Sequence, residues 1–235
     1  MTAASAPPVE IEAAPAELGG RRRWRAWLVP LALAAAAALI LPLDLPITRW
    51  ATEGHLPKSI QKAIRLSEAF SHGYGVGAIL IAVFVLDRAR RTLLPRLIAG
   101  TVLGGLLANC MKLLVSRMRP RSFDLHGRIL DSFHDFFQFG QRPSTEEGFP
   151  SAHAATGFAL AVMLSWRYPE GRTLFFVLAV VSGAQRVFSE AHFPSDVTFG
   201  AALGCLAGFA CLPGGVLGRP FDRLEARLRA RSRSA

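Results

Sequence analysis

The sequence predicts an all-α integral membrane protein with six membrane-spanning helices. Apolar residues make up 51% of the 235 residues, and they stand in long blocks rather than in alternation. Most of the arginines flank these blocks, which is the charge pattern of a membrane protein. The net charge of +10 is also compatible with nucleic-acid binding, but cations placed at the ends of apolar blocks argue against a nucleic-acid partner. The length is that of a single domain.

The N-terminal part is predicted to contain a tail and the first span. Residues 1–20 are rich in Ala, Pro and Glu and have no apolar period, so we expect a disordered tail. The basic sequence RRRWR at 21–25 precedes an apolar run over 26–43. A signal peptide is the alternative, but this run is long for one and lacks a small-residue cleavage site. The segment 44–70 has mixed charge and is amphipathic after Pro57, which predicts a short helix at the membrane interface.

Five further apolar runs complete the predicted membrane domain over 21–218. Their approximate bounds are 73–86, 94–115, 152–166, 173–184 and 197–213. Two of these runs carry closely spaced glycines, which let helices approach each other: Gly100, Gly104, Gly105, Gly200, Gly204 and Gly208. The polar loop 116–149 contains phenylalanines at 133, 136, 137 and 139. They either contact the membrane surface near a lipid or fold the loop on itself.

The distribution of cations predicts how the chain is oriented in a cell membrane. Six spans place both termini on one side. The segments on that side contain 16 of the 27 Lys and Arg residues, including the basic tail over 219–235. The positive-inside rule then predicts that both termini are cytoplasmic. An inner-membrane location follows from this orientation, and the three motifs described next fall together on the outer face.

The first motif, KLLVSRMRP, ends the third predicted span. Lys112 and Arg119 are seven residues apart, which places them on one face of a helix. Pro120 disfavours helical geometry for the residue before it, so the helix is expected to end near Arg119. Lys112 alone would be interpreted as an interfacial lysine with its ammonium group in the headgroup region.

The second motif, PSAH, opens the fourth predicted span. Ser151 is a favourable N-cap residue, and the first turn of the helix contributes the N–H groups of Ala152 and His153. Free N–H groups at a helix N-terminus form a site for an anion. On its own, such a Ser and His pair usually serves only capping and packing.

The third motif, QRVFSEAHFPSD, spans 185–196 between the last two predicted spans. Charged groups beside membrane spans are costly, and they are therefore candidates for function. Arg186 adds a third cation. Asp196 follows His192 by four residues, so its carboxylate is expected to hold one imidazole nitrogen and leave the other as a nucleophile. The alternative is that Ser195 or Asp196 only caps the last span.

Together, these groups suit phosphoryl transfer without a metal ion or cofactor. The transition state spreads negative charge over three oxygens, which fixed cations and backbone N–H groups can stabilise. His192 is expected to attack phosphorus, protonated His153 to donate its proton to the leaving oxygen, and water to hydrolyse the phosphohistidine. One imidazole must be neutral and the other charged, which predicts a bell-shaped pH profile. The predicted phosphate-binding residues are Lys112, Arg119, Ser151, Ala152 and Arg186.

The three motifs resemble those of the membrane-bound type 2 phosphatidic acid phosphatase superfamily, over residues 94–213. That family has the pattern Lys-x6-Arg-Pro, then Pro-Ser-Gly-His, then Ser-Arg-x5-His-x3-Asp. This chain keeps the order but has Ala152 in place of Gly and Gln185 in place of Ser. Ala152 retains the backbone N–H that the family uses at this position. Gln185 lacks the hydroxyl of Ser, but all the charged residues of the pattern are still present.

The resemblance implies a six-helix membrane bundle with an outward-facing active site. It also implies a metal-independent enzyme that acts on lipid phosphates or diphosphates, with the residue roles given above. Undecaprenyl diphosphate, phosphatidylglycerol phosphate, phosphatidic acid and a lipid A phosphate all remain open as substrates. The sequence does not predict the oligomeric state.

Four other functions are compatible with parts of the pattern. A lipid phosphotransferase would use the same phosphohistidine, and nothing in the sequence excludes it. A vanadate-dependent haloperoxidase has a similar site, but those relatives are soluble. A non-catalytic phosphate-binding membrane protein would not need the two histidines and the aspartate. A metal-dependent phosphatase would have to use the acidic loop, with Asp131, His134, Asp135, Glu146 and Glu147.

Overall fold

Helices dominate the computed structural model, which describes residues 20–137 and 143–234. The helices are α1 (Gly20–Ile40), α2 (Asp44–Thr52), α3 (Lys58–Leu66), α4 (Gly73–Leu86), α5 (Leu94–Lys112), α6 (Ala152–Arg167), α7 (Arg172–Phe188), α8 (Pro194–Cys211) and α9 (Gly218–Ser234). Two short antiparallel strands, β1 (Val115–Arg117) and β2 (Phe133–Phe136), pair within the loop after α5. The all-α class is confirmed. The tail predicted over residues 1–20 lies outside the described residues, apart from Gly20 at the start of α1.

The centre of the bundle is α6, which packs against α5, α7 and α8, while α1 packs on α8. Its inward residues are fully buried, among them Leu160 and Met163. Small residues allow the close crossings. A Cβ atom added at Gly104 would lie 2.7 Å from the carbonyl oxygen of Ala155, and one added at Gly204 would lie 2.3 Å from it. The packing function predicted for these glycines is therefore confirmed.

Four helical segments of the described chain are long and apolar enough to cross a membrane. They are Trp27–Thr52, Arg91–Lys112, Pro169–Phe188 and Pro194–Cys211. A fifth is counted if the bent pair Lys58–Phe70 and Gly73–Leu86, which turns through 64°, forms one span. The integral membrane class is confirmed, but the count of six spans is not. The predicted fourth span is α6, which has 16 residues and lies inside the bundle.

The predicted C-terminal ends of the first and third spans were wrong. The first span does not end at residue 43, because a short 3-10 turn carries it directly into α2 and places Asp44 inside the protein. The third span does not reach Val115, because the chain leaves the helix after Lys112 and enters β1.

The loop predicted over 116–149 is partly ordered by the β1–β2 pair. Phe133 lies inward, with its ring 6.4 Å from that of Phe149, whereas Phe136 and Phe137 are exposed. Phe133 therefore helps to fold the loop on itself, whereas contact of the exposed phenylalanines with a membrane surface stays a prediction. Phe139 lies outside the described residues.

The residues predicted as a basic tail form α9, which is joined to the start of α5 by ion pairs. Arg96 is fully buried there and donates to Glu225 and Asp222, each at 2.5 Å, and to the carbonyl oxygen of Cys211 at 3.0 Å. The ring of Phe221 lies 5.6 Å from the Arg96 guanidinium. The cytoplasmic location of this tail stays a prediction.

Candidate active site

The start of α6 has the capping geometry that the PSAH motif predicts. Ser151 is buried, and its hydroxyl oxygen accepts a hydrogen bond from the N–H of Ala154 at 3.3 Å. The N–H of Ser151 donates to the carbonyl oxygen of Asp196 at 3.1 Å, which joins the second motif to the third. His153 occupies the first turn of α6. The first-turn N–H groups that an N-terminus offers to an anion are thus next to an imidazole.

Lys112 and Arg119 reach the site by a different backbone path from the predicted one. They do not share a helix face, because α5 ends at Lys112 and β1 follows. Arg119 is instead fixed by the loop, since its N–H donates to the carbonyl oxygen of Thr145 at 2.8 Å. Burial, followed by the charge of Arg121, lowers the pKa of Arg119 from its ordinary value. The ammonium group of Lys112 lies 3.6 Å from a carboxylate oxygen of Glu147.

Arg186 lies in the last turn of α7, which continues to Phe188 rather than ending at residue 184. Its Nη1 donates to Oε1 of Glu68 at 2.6 Å and to Oε1 of Gln185 at 3.2 Å. Sequence reasoning missed Glu68, which comes from the predicted interfacial segment and had no motif to mark it.

The His192 imidazole is almost fully buried and is held by a backbone carbonyl. Its Nδ1 lies 2.6 Å from the carbonyl oxygen of Gly148. A carbonyl oxygen only accepts, so Nδ1 carries the hydrogen and Nε2 keeps its lone pair. Burial lowers the pKa of His192 well below its ordinary value of 6.5, against the opposing effect of the Gly148 bond. The imidazole is therefore neutral near pH 7, which is the form that can act as a nucleophile.

Asp196 does not hold His192, contrary to the contact predicted from their spacing. One carboxylate oxygen accepts from Nη1 of Arg117, and the other accepts from the N–H of Phe193 at 2.7 Å. The second bond caps the N-terminus of α8, so the alternative role of Asp196 as a cap is confirmed. The physical reason is that Arg117 is fully buried and needs the carboxylate as a counter-charge.

A buried network behind the site was also missed. Arg117 donates from Nη2 to Asp44 at 2.7 Å and from Nη1 to the Ser195 hydroxyl at 2.8 Å. The rings of Phe133 and Phe193 lie 4.5 and 4.4 Å from its guanidinium. One sequence signal did exist, because Asp44 is an isolated carboxylate within the apolar stretch LPLDLP. An acidic side chain inside a membrane segment is expected to pair with a cation or a hydrogen-bond donor.

Two predicted phosphate-binding arginines and the predicted proton donor carry buried polar atoms without a hydrogen-bond partner among the described residues. These atoms are Nε of Arg119, Nε of Arg186 and Nε2 of His153. Buried polar atoms are normally bonded, and phosphate oxygens are acceptors that suit such donors. Burial, followed by the charge of Arg186, lowers the pKa of His153 to about 4.

The described part of the acidic loop shows no grouping of candidate metal ligands. Among the described residues, no three His, Cys, Asp or Glu side chains are grouped so as to hold a metal ion. Glu147 contacts Lys112 instead. The metal-dependent alternative therefore gains no support from the positions of these side chains.

Comparison with known proteins identifies a family over the residues that contain the three motifs. A family model described as the PAP2 superfamily matches residues 94–215. The chain is 30% identical over 202 residues to a lipid A 1-phosphatase of Rhizobium etli, which covers 77% of this chain and 81% of that protein. It is 29% identical over 154 residues to a decaprenylphosphoryl-5-phosphoribose phosphatase of Mycobacterium tuberculosis, covering 65% of this chain and 78% of that protein.

Two solved structures share the fold. LpxE of Aquifex aeolicus has a TM-score of 0.57 at 23% identity, covering 72% of this chain and 94% of that one. A transmembrane PAP2-type phosphatidylglycerolphosphate phosphatase of Bacillus subtilis has a TM-score of 0.51 at 20% identity, covering 80% and 93%. At these identities the likeness concerns the fold.

Proposed function

Because the chain belongs to the PAP2 superfamily and is a membrane hydrolase of phosphoric esters, we propose that it dephosphorylates a membrane lipid through a phosphohistidine intermediate, without a metal ion. The geometry of His192 is the observation that carries this proposal. Its Nδ1–H donates a hydrogen bond to the Gly148 carbonyl oxygen, so Nε2 has a free lone pair in a buried, neutral ring. A binding site for phosphate would need the cations but not this arrangement.

The first chemical step forms a bond between phosphorus and Nε2 of His192 and breaks the bond between phosphorus and the lipid oxygen. Negative charge grows on the equatorial oxygens and on the leaving oxygen during this step. Lys112, Arg119 and Arg186 stabilise the equatorial oxygens, together with the N–H groups at the start of α6. His153 gives its proton to the leaving oxygen.

The second step regenerates the enzyme. Water attacks the phosphohistidine, its proton passes to His153, and inorganic phosphate leaves with the His192 imidazole restored. His153 must be protonated before the first step, although its pKa is about 4 in the structure. A phosphate dianion beside the ring favours the charged imidazole and raises this pKa. Substrate binding thus supplies the protonated form of the acid.

Lipid A 1-phosphate is the first substrate to test, because the Rhizobium etli relative has that activity in its name and aligns over most of both chains. We place the active site on the periplasmic face of the inner membrane, with both termini in the cytoplasm. The excess of cations on the other side of the predicted spans supports this orientation.

The test is phosphate release from lipid phosphates by the purified chain in excess chelator. The panel contains lipid A 1-phosphate, undecaprenyl diphosphate, phosphatidylglycerol phosphate and phosphatidic acid. We expect release that survives chelation and is lost in His192→Ala, whereas the exposed His126→Ala gives a matched control with normal activity. Trapping of labelled phosphate on the protein, absent in His192→Ala, identifies the intermediate. Release that needs a divalent metal, or that persists in His192→Ala, overturns the mechanism, and turnover only with a lipid acceptor indicates a phosphotransferase.

A further inference from the structure

Glu68 brings a carboxylate into the cationic site from outside the segment that the family model matches. It lies in a short 3-10 turn after α3, at the 64° bend between the Lys58–Phe70 segment and α4. The family match begins only at residue 94. Glu68 is therefore a feature of this chain that the three motifs do not contain.

The Glu68 carboxylate contacts the residues to which we assign phosphate binding and proton donation. Oε1 accepts from Nη1 of Arg186 at 2.6 Å and lies 3.8 Å from Nε2 of His153. Oε2 accepts from the amide of Gln185 at 3.2 Å. A carboxylate and a phosphate group present similar oxygen acceptors to a guanidinium.

This carboxylate and a bound phosphate dianion would repel each other at such short range. Two like charges in one partly buried site disfavour each other strongly. We propose that the Glu68 carboxylate pairs with Arg186 in the substrate-free enzyme and that the substrate phosphate displaces it; this inference rests on the proposed function. Phosphate binding is then an exchange of one anion for another.

The structure provides a place for the displaced side chain. A cavity of about 370 Å³ adjoins Glu68 and is lined by Arg65, Gln61, Gln185 and Glu190, among others. The Glu68 side chain is 35% exposed, whereas that of Arg186 is 12% exposed, so the carboxylate can move more freely than the guanidinium.

Arg65 is the alternative partner for the displaced carboxylate. It is exposed and lies three residues before Glu68, a spacing that places both side chains on the same side of a helical turn. Within the described part of the chain, no carboxylate lies at ion-pair distance from Arg65. Glu68 thus alternates between Arg186 without substrate and Arg65 with phosphate bound.

The exchange makes the enzyme selective for phosphate attached to a lipid. Free inorganic phosphate must displace Glu68 with its own charge alone. A lipid phosphate has additional binding energy from its hydrocarbon chains, which offsets the cost of displacement. The device therefore limits inhibition by the inorganic phosphate that the reaction releases.

The experiment measures the affinity for inorganic phosphate in two ways. Calorimetry gives its binding to the chain in a His192→Ala background, and product inhibition gives its binding to the active enzyme. We expect Glu68→Gln to bind phosphate about tenfold more tightly, because the competing charge is gone. Arg65→Gln should bind it more weakly, since the alternative partner is lost. In the double variant the Arg65 effect should vanish, which shows that it acts through Glu68.

Glu170→Gln is the matched control, because Glu170 is exposed just before the N-terminus of α7 whereas Arg186 lies in its last turn, and it should change phosphate affinity less than about twofold. Weaker or unchanged binding in Glu68→Gln, with the protein folded, overturns the proposal and makes Glu68 a support for Arg186. An Arg65 effect that persists in the double variant also overturns it. Because binding is measured without turnover, an inactive wild-type chain that follows these predictions would refute the proposed reaction and leave the exchange standing.

Discussion

The carbonyl oxygen of Gly148 lies 2.6 Å from Nδ1 of His192 and determines which imidazole nitrogen is available. Gly148 itself has no room for a side chain. A Cβ atom there would lie 2.7 Å from the carbonyl oxygen of Arg117 and 2.9 Å from that of Met118. The position of the carbonyl, and hence the orientation of His192, depends on this tight backbone contact.

Gly148→Ala should therefore lower the kcat of the folded protein and also its thermal stability, because the clash is with backbone atoms. The added methyl group pushes the 148 carbonyl away from the imidazole, and a displacement of about 1 Å can cost up to roughly 100-fold in rate. The measurement is steady-state phosphate release together with thermal unfolding. Gly77→Ala is the control, because a Cβ atom there meets nothing within 4 Å. Equal activity in the two variants would show that the carbonyl does not orient His192.

The pH dependence of kcat/KM should differ from that of kcat. His192 acts in its neutral form and has a pKa well below 6.5 without substrate, so the acid limb of kcat/KM should lie well below pH 6.5. His153 acts in its charged form, and its pKa is about 4 without substrate. Since bound phosphate raises that pKa, the alkaline limb of kcat should lie at higher pH than that of kcat/KM. Coincident alkaline limbs would contradict the role assigned to His153.

Asp44→Asn should destabilise the protein strongly. Asp44 is fully buried, accepts from Arg117 at 2.7 Å and accepts from the N–H of Ser195 at 2.8 Å. Removing one member of a buried charge network costs about 3–5 kcal/mol, because the remaining charge is left without compensation. Thermal unfolding in detergent measures the loss. The exposed Glu53→Gln should change stability by less than about 0.5 kcal/mol, and a similar effect of both changes would refute the role of the network.

Arg96→Met should release α9 from the bundle. Arg96 is fully buried and donates to Glu225 and Asp222 of α9, so both carboxylates lose their partner in the variant. Limited trypsin digestion should then cleave within α9, which is rich in arginine, faster than in the wild type. Arg88→Met is the control, since Arg88 is exposed in the neighbouring turn. Unchanged cleavage in Arg96→Met would show that other contacts hold α9.

The fold and the general nature of the site could be predicted from the sequence because both depend on local patterns. Apolar blocks give membrane helices wherever they occur, and the cap at Ser151 follows from a residue type that bonds its own helix terminus. The count of spans could not be predicted in the same way. A block such as α6 is apolar because it lies at the centre of the bundle, and at 16 residues its composition does not distinguish a buried core helix from a span.

The partners of charged side chains were the least predictable part. A spacing of four residues predicted that Asp196 would hold His192, yet Arg117 and the N–H of Phe193 take the carboxylate. Arg117 lies 79 residues away from Asp196 along the chain, and no local pattern connects them. The same is true of Glu68 and Arg186, which are 118 residues apart.

Local sequence patterns were sufficient to predict the membrane class and the helical architecture and to nominate the residues of the candidate site, because hydrophobicity and helix capping act over short stretches of chain. The packed fold was needed to identify which carboxylate faces which cation and which group orients His192. Ion pairs and hydrogen bonds require contact within a few ångströms, and distant segments reach that separation only after the helices have packed.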